Sequence, residues 1–183
     1  MKITPVNNVI HFSISDAVTD TGYKPDPIEV IIRTDKPHKG GCKLTIEGEI
    51  YSGYWGNMPS ERTEDFIKTA PTDYLLDSFV PLLHSQIIDF DAYRKVILDY
   101  VNEEADETDA TEEEIEEYRD VINQIKDSES RKVYLCHPMT SLFYENVYHD
   151  ETIPYKPNPV YDRYLSIIAL IQKAVREYCQ PVV

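Results

Sequence analysis

The sequence predicts an α+β protein, with a small antiparallel N-terminal sheet packed by helices and an acidic helical hairpin. Three segments of alternating apolar and polar residues open the chain, and this alternation is typical of strands with one buried face. Farther along, apolar residues recur three and four positions apart, which is typical of amphipathic helices. Where two of these predicted helices meet, a single stretch holds twelve of the chain's 33 carboxylates.

The three predicted strands cover residues 9–15, 28–33 and 43–51. Their apolar positions alternate with polar ones and are Ile10, Phe12 and Ile14, then Ile28, Val30 and Ile32, then Leu44, Ile46 and Ile50. The connecting segments TDTGYKPDP and TDKPHKGG are rich in Gly, Pro and Asp, which favour turns. The simplest arrangement is a three-stranded antiparallel meander.

An aromatic cluster of Tyr51, Tyr54, Trp55 and Met58 ends the third predicted strand. Aromatic side chains at a strand-to-helix junction usually seal the end of a sheet, although exposed Trp and Tyr also dominate many binding sites. We expect the cluster to belong to the core. A functional surface around Tyr54 and Trp55 is the alternative.

Two helices are predicted on either side of the segment ADETDA. The first begins at Asp89, and the second at Thr111, which has the Thr-x-x-Glu spacing of a capping box with Glu114. Their apolar stripes are Phe90, Tyr93, Ile97, Tyr100 and Val101 in the first helix and Ile115, Tyr118, Val121, Ile122 and Ile125 in the second. Helices joined by a short turn run antiparallel. We therefore expect residues 89–127 to form a hairpin that protrudes from a single domain of residues 1–183.

The last helix is predicted to begin at Asn158, a capping residue type, with Pro159 in its first turn. Its apolar stripe, which we expect to pack against the sheet, consists of Tyr161, Tyr164, Leu165, Ile168, Ile171, Val175 and Tyr178. Residues 131–159 contain four prolines and are predicted to be irregular.

Residues 99–120 carry twelve carboxylates and one cation, Arg119, which gives −11 of the chain's formal net charge of −15. Like charges four residues apart destabilise a helix by about 0.2–0.5 kcal/mol per pair, so a merely soluble helix would more usually interleave lysines. We expect the acidic tip of the hairpin to bind a partner. The candidate partner-binding residues are Glu103, Glu104, Asp106, Glu107, Asp109, Glu112, Glu113, Glu116 and Glu117.

Three interpretations of this acidic stretch stay open. The first is a solvated helix surface, as most charge runs are. The second is a mimic of nucleic acid, because the carboxylates lie along the hairpin about as densely as phosphates along duplex DNA. The third is a Ca²⁺ or Mg²⁺ site, but the segment DETDATEEE lacks the glycine and the ligand spacing of an EF-hand loop. No metal or other cofactor is therefore expected.

The adjacent residues Cys136 and His137 invite comparison with a catalytic thiolate–imidazole pair. Neighbouring residues on an extended chain point to opposite sides, and the sequence has no paired zinc-ligand spacing. We expect Cys136 to be a buried structural cysteine. Because the sequence also lacks a glycine-rich phosphate loop, no enzymatic activity is expected.

The pI near 4.6 disfavours direct binding to nucleic acid or to an anionic membrane and favours a basic protein partner. The start MKITPVNNVI lacks the apolar core of a signal peptide, and no apolar run approaches the ~20 residues of a membrane span. Three cysteines, far apart in the chain, suit a reducing compartment. We expect a cytoplasmic monomer or homodimer.

The segments Asp16-Ala17, Asp20-Thr-Gly-Tyr23, Ile28–Asp35, Lys43–Gly48 and Tyr54-Trp-Gly56 resemble a group of small uncharacterised proteins encoded by phages and prophages of enteric bacteria. The resemblance covers roughly the first eighty residues and carries no functional residues with it. It implies phage infection as the setting and the bacterial host cell as the compartment.

The sequence therefore predicts a non-enzymatic acidic binding protein. It is expected to be a phage-encoded inhibitor that mimics nucleic acid and blocks a host nucleic-acid-binding defence protein, such as a CRISPR effector, a restriction enzyme or a nuclease. One alternative is an immunity protein that neutralises a basic nuclease toxin, which an adjacent toxin gene would favour. Another is a small metal-dependent hydrolase, which stoichiometric binding of Mg²⁺, Mn²⁺ or Ca²⁺ would favour.

Overall fold

The computed structural model describes residues 8–105, 110–138, 140 and 153–179 of the chain. Those residues form six strands and six helices, and this mixture confirms the α+β class. The strands are β1 (Val9–Ile14), β2 (Ile28–Lys36), β3 (Lys39–Ile46), β4 (Glu49–Trp55), β5 (Gln86–Ile88) and β6 (Tyr155–Pro157). The helices are α1 (Thr63–Thr69), α2 (Thr72–Phe79), α3 (Phe90–Glu104), α4 (Glu112–Asn123), α5 (Ser128–Leu135) and α6 (Pro159–Tyr178).

Strands β1 to β4 form one antiparallel sheet in the order β1-β2-β3-β4. The alternation predicted for β2 is confirmed, because Ile28, Val30 and Ile32 are buried and the residues between them are less so. Strands β2 and β3 are joined by a two-residue turn. In it Pro37 precedes His38, whose φ is 65°, and this combination suits a type II turn.

The third predicted strand, residues 43–51, is in fact two strands. The chain reverses at Glu47 and Gly48, whose φ values of 53° and 82° are those of the type I′ turns that join tightly paired strands. Because Glu47 is not a turn-forming residue type, the apolar alternation runs through this turn without a visible signal. The reversal places Ile50 opposite Thr45 on the outer face of the sheet, where Ile50 is 63 % exposed.

The aromatic cluster at the end of β4 divides between the two faces of the sheet. Trp55 and Met58 are 7 % and 3 % exposed and lie in the core, as expected. Tyr54 is 60 % exposed, so the expectation that it belongs to the core is wrong. The reason is that neighbouring residues of a strand point to opposite faces.

Helices α1, α2 and α6 pack with the sheet in one hydrophobic core. Tyr51 and Tyr164 share a hydrogen bond of 2.8 Å between their hydroxyl groups, and the rings of Phe12 and Tyr178 stack with their centroids 4.9 Å apart. These contacts join β4 and β1 to α6. The expectation that the last helix packs against the sheet is confirmed.

Helix α6 also organises the two short helices of this core. Its N-cap is Asn158, as predicted, with Pro159 in the first turn. The buried amide of Gln172 donates to the carbonyl oxygens of Ile67 and Ala70 at 2.8 and 2.9 Å, and its oxygen accepts from the Thr72 hydroxyl at 2.8 Å. One side chain thereby satisfies carbonyl groups at the end of α1 and fixes the start of α2.

The chain divides into two compact units, Met1–Ser85 with Asn158–Val183, and Gln86–Pro157. Each unit has its own hydrophobic core. The core of the second unit consists of Tyr93, Ile97, Val101, Ile115, Tyr118, Ile122, Ile125 and Tyr134. The single domain of residues 1–183 with a protruding hairpin at 89–127 stays a prediction.

The expectation that residues 131–159 are irregular is wrong at both ends of the segment, because α5 extends to Leu135 and β6 covers Tyr155–Pro157. Asp127 caps this helix by accepting a hydrogen bond of 2.9 Å from the backbone N–H of Ser130. The prolines that suggested an irregular segment all follow the helix. Residues 139 and 141–152 lie outside the described part. None of the described helices is long and apolar enough to cross a membrane.

Gly40→Ala should destabilise the first unit by about 1–3 kcal/mol, the usual cost of overpacking a filled core. A Cβ at Gly40 would overlap the hydroxyl oxygen of Thr63 and the carbonyl oxygen of Arg33. Fluorescence of Trp55, which lies in this core, would report unfolding in a denaturant titration. Gly56→Ala is the matched control, since nothing lies within 4 Å of a Cβ there. Equal midpoints for the two variants would contradict this prediction.

Candidate functional site

Helix α4 holds most of the acidic candidate residues that the structure describes, and it begins at the predicted capping box. The Thr111 hydroxyl oxygen accepts from the Glu114 backbone N–H at 3.3 Å, and the Glu114 carboxylate accepts from the Thr111 backbone N–H at 2.8 Å. Each side chain thereby satisfies a backbone N–H at the helix start. The backbone N–H of Thr111, and then its hydroxyl, hold the pKa of Glu114 below its ordinary value.

Helices α3 and α4 run antiparallel in the described structure. Near the start of α3, Arg94 donates to the carbonyl oxygen of Ile125, just beyond the end of α4. Near the end of α3, the Asn102 side-chain oxygen accepts two hydrogen bonds, of 2.8 and 3.1 Å, from the Arg119 guanidinium in α4. The predicted apolar stripes of the two helices meet between these contacts and form the core of the second unit.

The opposite side of α4 is acidic, and its five carboxylates are all exposed: Glu112, Glu113, Glu116, Glu117 and Asp120. At about 100° per residue they occupy an arc of roughly 140°, on the side of the helix away from the buried Ile115, Tyr118 and Ile122. At 1.5 Å per residue they extend about 12 Å along the helix. We call these five residues the acidic face of α4.

Few cations neutralise the acidic face. Arg119 lies 3.2 Å from the Glu116 carboxylate, and no other ion pair between described residues reaches the face. Arg119 is itself held by its hydrogen bonds to Asn102. The whole segment Gln86–Pro157 contains 19 carboxylates and seven Lys and Arg residues, a net charge of −12, whereas the rest of the chain carries −3. The negative charge is therefore concentrated in the second unit.

The structure describes some of the nine candidate partner-binding residues and not others. Glu103 is exposed near the end of α3, and Glu104 is the last residue of that helix. The candidates on α4, which are Glu112, Glu113, Glu116 and Glu117, share the acidic face. Asp106, Glu107 and Asp109 lie outside the described residues. Their union in one binding surface stays a prediction.

The cysteines differ from the sequence-based expectation. Cys136 is exposed at the C-terminal end of α5, so its assignment as a buried structural cysteine is wrong. The buried thiol is Cys42, whose pKa burial raises to about 12. The His137 ring stacks on Tyr118 with the centroids 5.3 Å apart. Among the residues that the structure describes, no three His, Cys, Asp or Glu side chains converge on a possible metal position.

Sequence reasoning missed one surface, on the outer face of the four-stranded sheet. There Arg33, Gly41, Lys43 and Tyr54 border a concavity of about 260 Å³. Alternation along each strand could have assigned Arg33 and Lys43 to the outer face. Alternation does not reveal the cross-strand register, which places Tyr54 beside Gly41.

A protein-family model described as a phage family, Phage_phiTE_072, matches residues 1–177. The chain belongs to this phage family. The match contains all the elements of the second unit, including the acidic face of α4, so the expectation that the resemblance stops near residue 80 is wrong. The phage origin expected from the sequence is confirmed. No curated protein and no solved structure matches this phage-family chain.

Thr111→Ala should destabilise α4 by about 1 kcal/mol at neutral pH, the usual cost of losing a capping side chain. The loss should be smaller in acid. Because the folded-state pKa of Glu114 is lowered, the ionised Glu114 stabilises the fold above the ordinary pKa of 4.5, and this contribution disappears as pH falls through the lowered value. Denaturant titrations of the parent and the variant, followed by far-ultraviolet circular dichroism, would measure the loss at neutral pH and at a pH below the lowered pKa of Glu114. An equal loss at both would contradict it.

The thiols should differ in reactivity. Iodoacetamide should alkylate the exposed Cys136 in the native protein at neutral pH and leave Cys42 unmodified, because Cys42 is 3 % exposed and its thiol stays protonated. Peptide mapping by mass spectrometry would locate the label, and labelling in denaturant would show that both thiols can react. Modification of Cys42 as fast as Cys136 would contradict the buried position of Cys42 on the inner face of β3.

Proposed function

We propose that this phage-family protein is a non-enzymatic inhibitor that binds the basic nucleic-acid-binding surface of a host defence protein through the acidic face of α4. The target class is a CRISPR effector, a restriction enzyme or a nuclease, and the site of action is the cytoplasm of the bacterial host cell. The observation that carries the proposal is the placement of five exposed carboxylates on the side of α4 away from its core.

The charge density of the acidic face supports mimicry of nucleic acid. Five carboxylates over about 12 Å give one charge per roughly 2.4–3 Å of helix axis, whereas one strand of B-DNA carries a phosphate about every 3.4 Å. A groove that holds phosphates by the charge of its Lys and Arg residues would therefore find a comparable line of anions on α4. In this proposal the candidate residues that precede α4 in the chain also contact the partner, and these are Glu103, Glu104, Asp106, Glu107 and Asp109.

Preorganisation also favours a binding role. The capping box fixes the first turn of α4, and the hydrogen bonds between Arg119 and Asn102 tie its middle to α3. The acidic face therefore loses little backbone freedom when a partner binds, which reduces the entropy cost of association. In this proposal the protein acts as a monomer or homodimer and needs no cofactor.

Electrostatics favours a protein partner over nucleic acid. The net charge of −12 in Gln86–Pro157 repels phosphates and attracts a surface rich in Lys and Arg. Long-range attraction of this kind acts mainly on the rate of association and weakens as salt screens it. The proposal therefore predicts a particular kinetic behaviour as well as an affinity.

The test replaces four carboxylates of the acidic face with glutamine, as Glu112→Gln, Glu113→Gln, Glu116→Gln and Glu117→Gln. The parent chain is immobilised on a solid support and incubated with a lysate of the bacterial host. It should capture a nucleic-acid-binding protein that the variant does not capture. Once the captured protein has been purified, the variant should bind it more than about tenfold more weakly than the parent does, mainly through slower association. The parent's association rate should itself fall steeply between low and physiological salt, where the Debye length is about 8 Å.

A matched control removes the same charge elsewhere. Asp26→Asn, Glu49→Gln, Glu61→Gln and Glu177→Gln change four exposed carboxylates of the other unit, and this variant should bind like the parent. Circular dichroism should show both variants folded, since neutralisation of α4 relieves repulsion at three i,i+4 pairs while removing acids that favour the helix N-terminus. Unchanged affinity of the α4 variant would overturn the proposal and leave the acidic face a solvated surface.

A further inference from the structure

The outer face of the four-stranded sheet carries cationic and aromatic side chains in adjacent rows. Across the strands, Arg33 pairs with Gly41 and Gly41 with Tyr54. In the next row, Lys43 stands between Ile31 and Ser52. The opposite face of the same strands is filled by the core. The outer face is therefore the side of β2, β3 and β4 on which a ligand can lie.

A concavity of about 260 Å³ lies on this face, with Ile31, Arg33, Gly41, Lys43, Ser52 and Tyr54 around it. The concavity exists because Gly41 has no side chain to fill it. A Cβ at Gly41 would lie 2.8 Å from the carbonyl oxygen of Gly53, which is closer than a Cβ tolerates, and would be in tight contact with Cδ2 of Tyr54 at 3.3 Å. The chain thus has a cradle of backbone atoms beside an exposed tyrosine ring.

Both charged side chains that border the cradle, Arg33 and Lys43, are cationic, although the chain as a whole is acidic. Lys43 is exposed, and the nearby carboxylate that interacts electrostatically with it, Glu29, is hydrogen-bonded to His11 and Thr45. The Lys43 ammonium group is therefore not held in an ion pair with a described residue and can approach an anion. Arg33 pairs with Asp35, with 2.6 Å between its Nε and the carboxylate, and half of its side chain is still exposed. Lys36 and Lys39 lie opposite each other in the backbone register of β2 and β3, at the end of the same hairpin.

We propose that this concavity binds one free mononucleotide, with the base against the Tyr54 ring and the phosphate held by Lys43 and Arg33. A flat ring stacks on an exposed aromatic side chain whichever base it belongs to. Lys supplies a point charge and Arg a planar fork for phosphate oxygens. The Ser52 hydroxyl can donate to or accept from the ligand. An exposed aromatic ring beside two cationic side chains suits a ligand that has both a flat ring and an anionic group.

The observations favour a single nucleotide over a nucleic-acid strand. A volume of about 260 Å³ is below the ~300–1,000 Å³ of pockets for drug-sized ligands and suits one small ligand. The chain's net charge of −15 repels a polyanion far more than a single phosphate group. This inference is independent of the proposed inhibitor function, because none of its residues belongs to the acidic face of α4.

Isothermal titration calorimetry of the full chain with AMP, CMP, GMP and UMP tests the proposal. At least one of these nucleotides should bind saturably and about tenfold more tightly than either adenosine or inorganic phosphate, because each of those probes offers only part of the contact. Amide signals of Gly41, Ser52 and Tyr54 should shift in NMR spectra during the titration. A single-stranded decanucleotide should bind more weakly than the mononucleotide.

Two variants and one control assign the binding to the cradle. Lys43→Gln and Tyr54→Leu change exposed side chains, so both should fold like the parent, and each should weaken nucleotide binding about fivefold or more. Lys24→Gln removes an exposed lysine from a loop of the same unit and should change nothing. The variant with four glutamines in α4 should also bind the nucleotide like the parent.

Three results would overturn the proposal. The first is that none of the four mononucleotides binds saturably at millimolar concentration. The second is binding that Lys43→Gln and Tyr54→Leu leave unchanged, which would place the ligand elsewhere. The third is tighter binding of the decanucleotide than of any mononucleotide, which would identify the surface as a nucleic-acid site instead.

Discussion

The burial of one face of the four-stranded sheet is the constraint on which most of the first unit depends. Val30, Leu44 and Ile46 are fully buried, and the helices that cover them must present apolar stripes. Because side chains alternate along a strand, the same burial fixes Arg33 and Lys43 on the other face. A slip of β3 by one residue would drive Lys43 into the core without a partner, at a cost that no apolar contact offsets. The exposure of Arg33 and Lys43 on the outer face is thus a consequence of the alternation that builds the core.

In the second unit, apolar packing outweighs the repulsion that its acidity creates. The like-charge pairs Glu112–Glu116, Glu113–Glu117 and Glu116–Asp120 cost about 0.2–0.5 kcal/mol each. Full burial of one large apolar side chain contributes about 1.5–3 kcal/mol, and α4 buries Ile115, Tyr118 and Ile122. A single side chain of that stripe therefore offsets all three repulsive pairs. Helix α4 can carry an unneutralised acidic face because its opposite side is apolar and its first turn is capped.

Local signals in the sequence predicted local structure well and long-range structure less well. The capping box at Thr111 and the Asn158-Pro159 start of α6 are properties of a few adjacent residues, and both were predicted correctly. The turn at Glu47 was missed because a left-handed glutamate is stabilised by the pairing of β3 with β4, which the sequence does not display.

The candidate site divides in the same way. Exposure of the acidic face follows from helical periodicity, so the sequence could indicate it before the structure did. The cradle beside Gly41 depends on cross-strand register, which brings residues from three strands together. The two surfaces also differ in what the partner must provide. In the proposed inhibitor function, the acidic helix face needs no concavity of its own, because the basic groove of the partner would supply the shape. The proposed nucleotide site on the sheet does need a concavity, because a small ligand supplies a ring and a charge but cannot surround the protein surface that it binds.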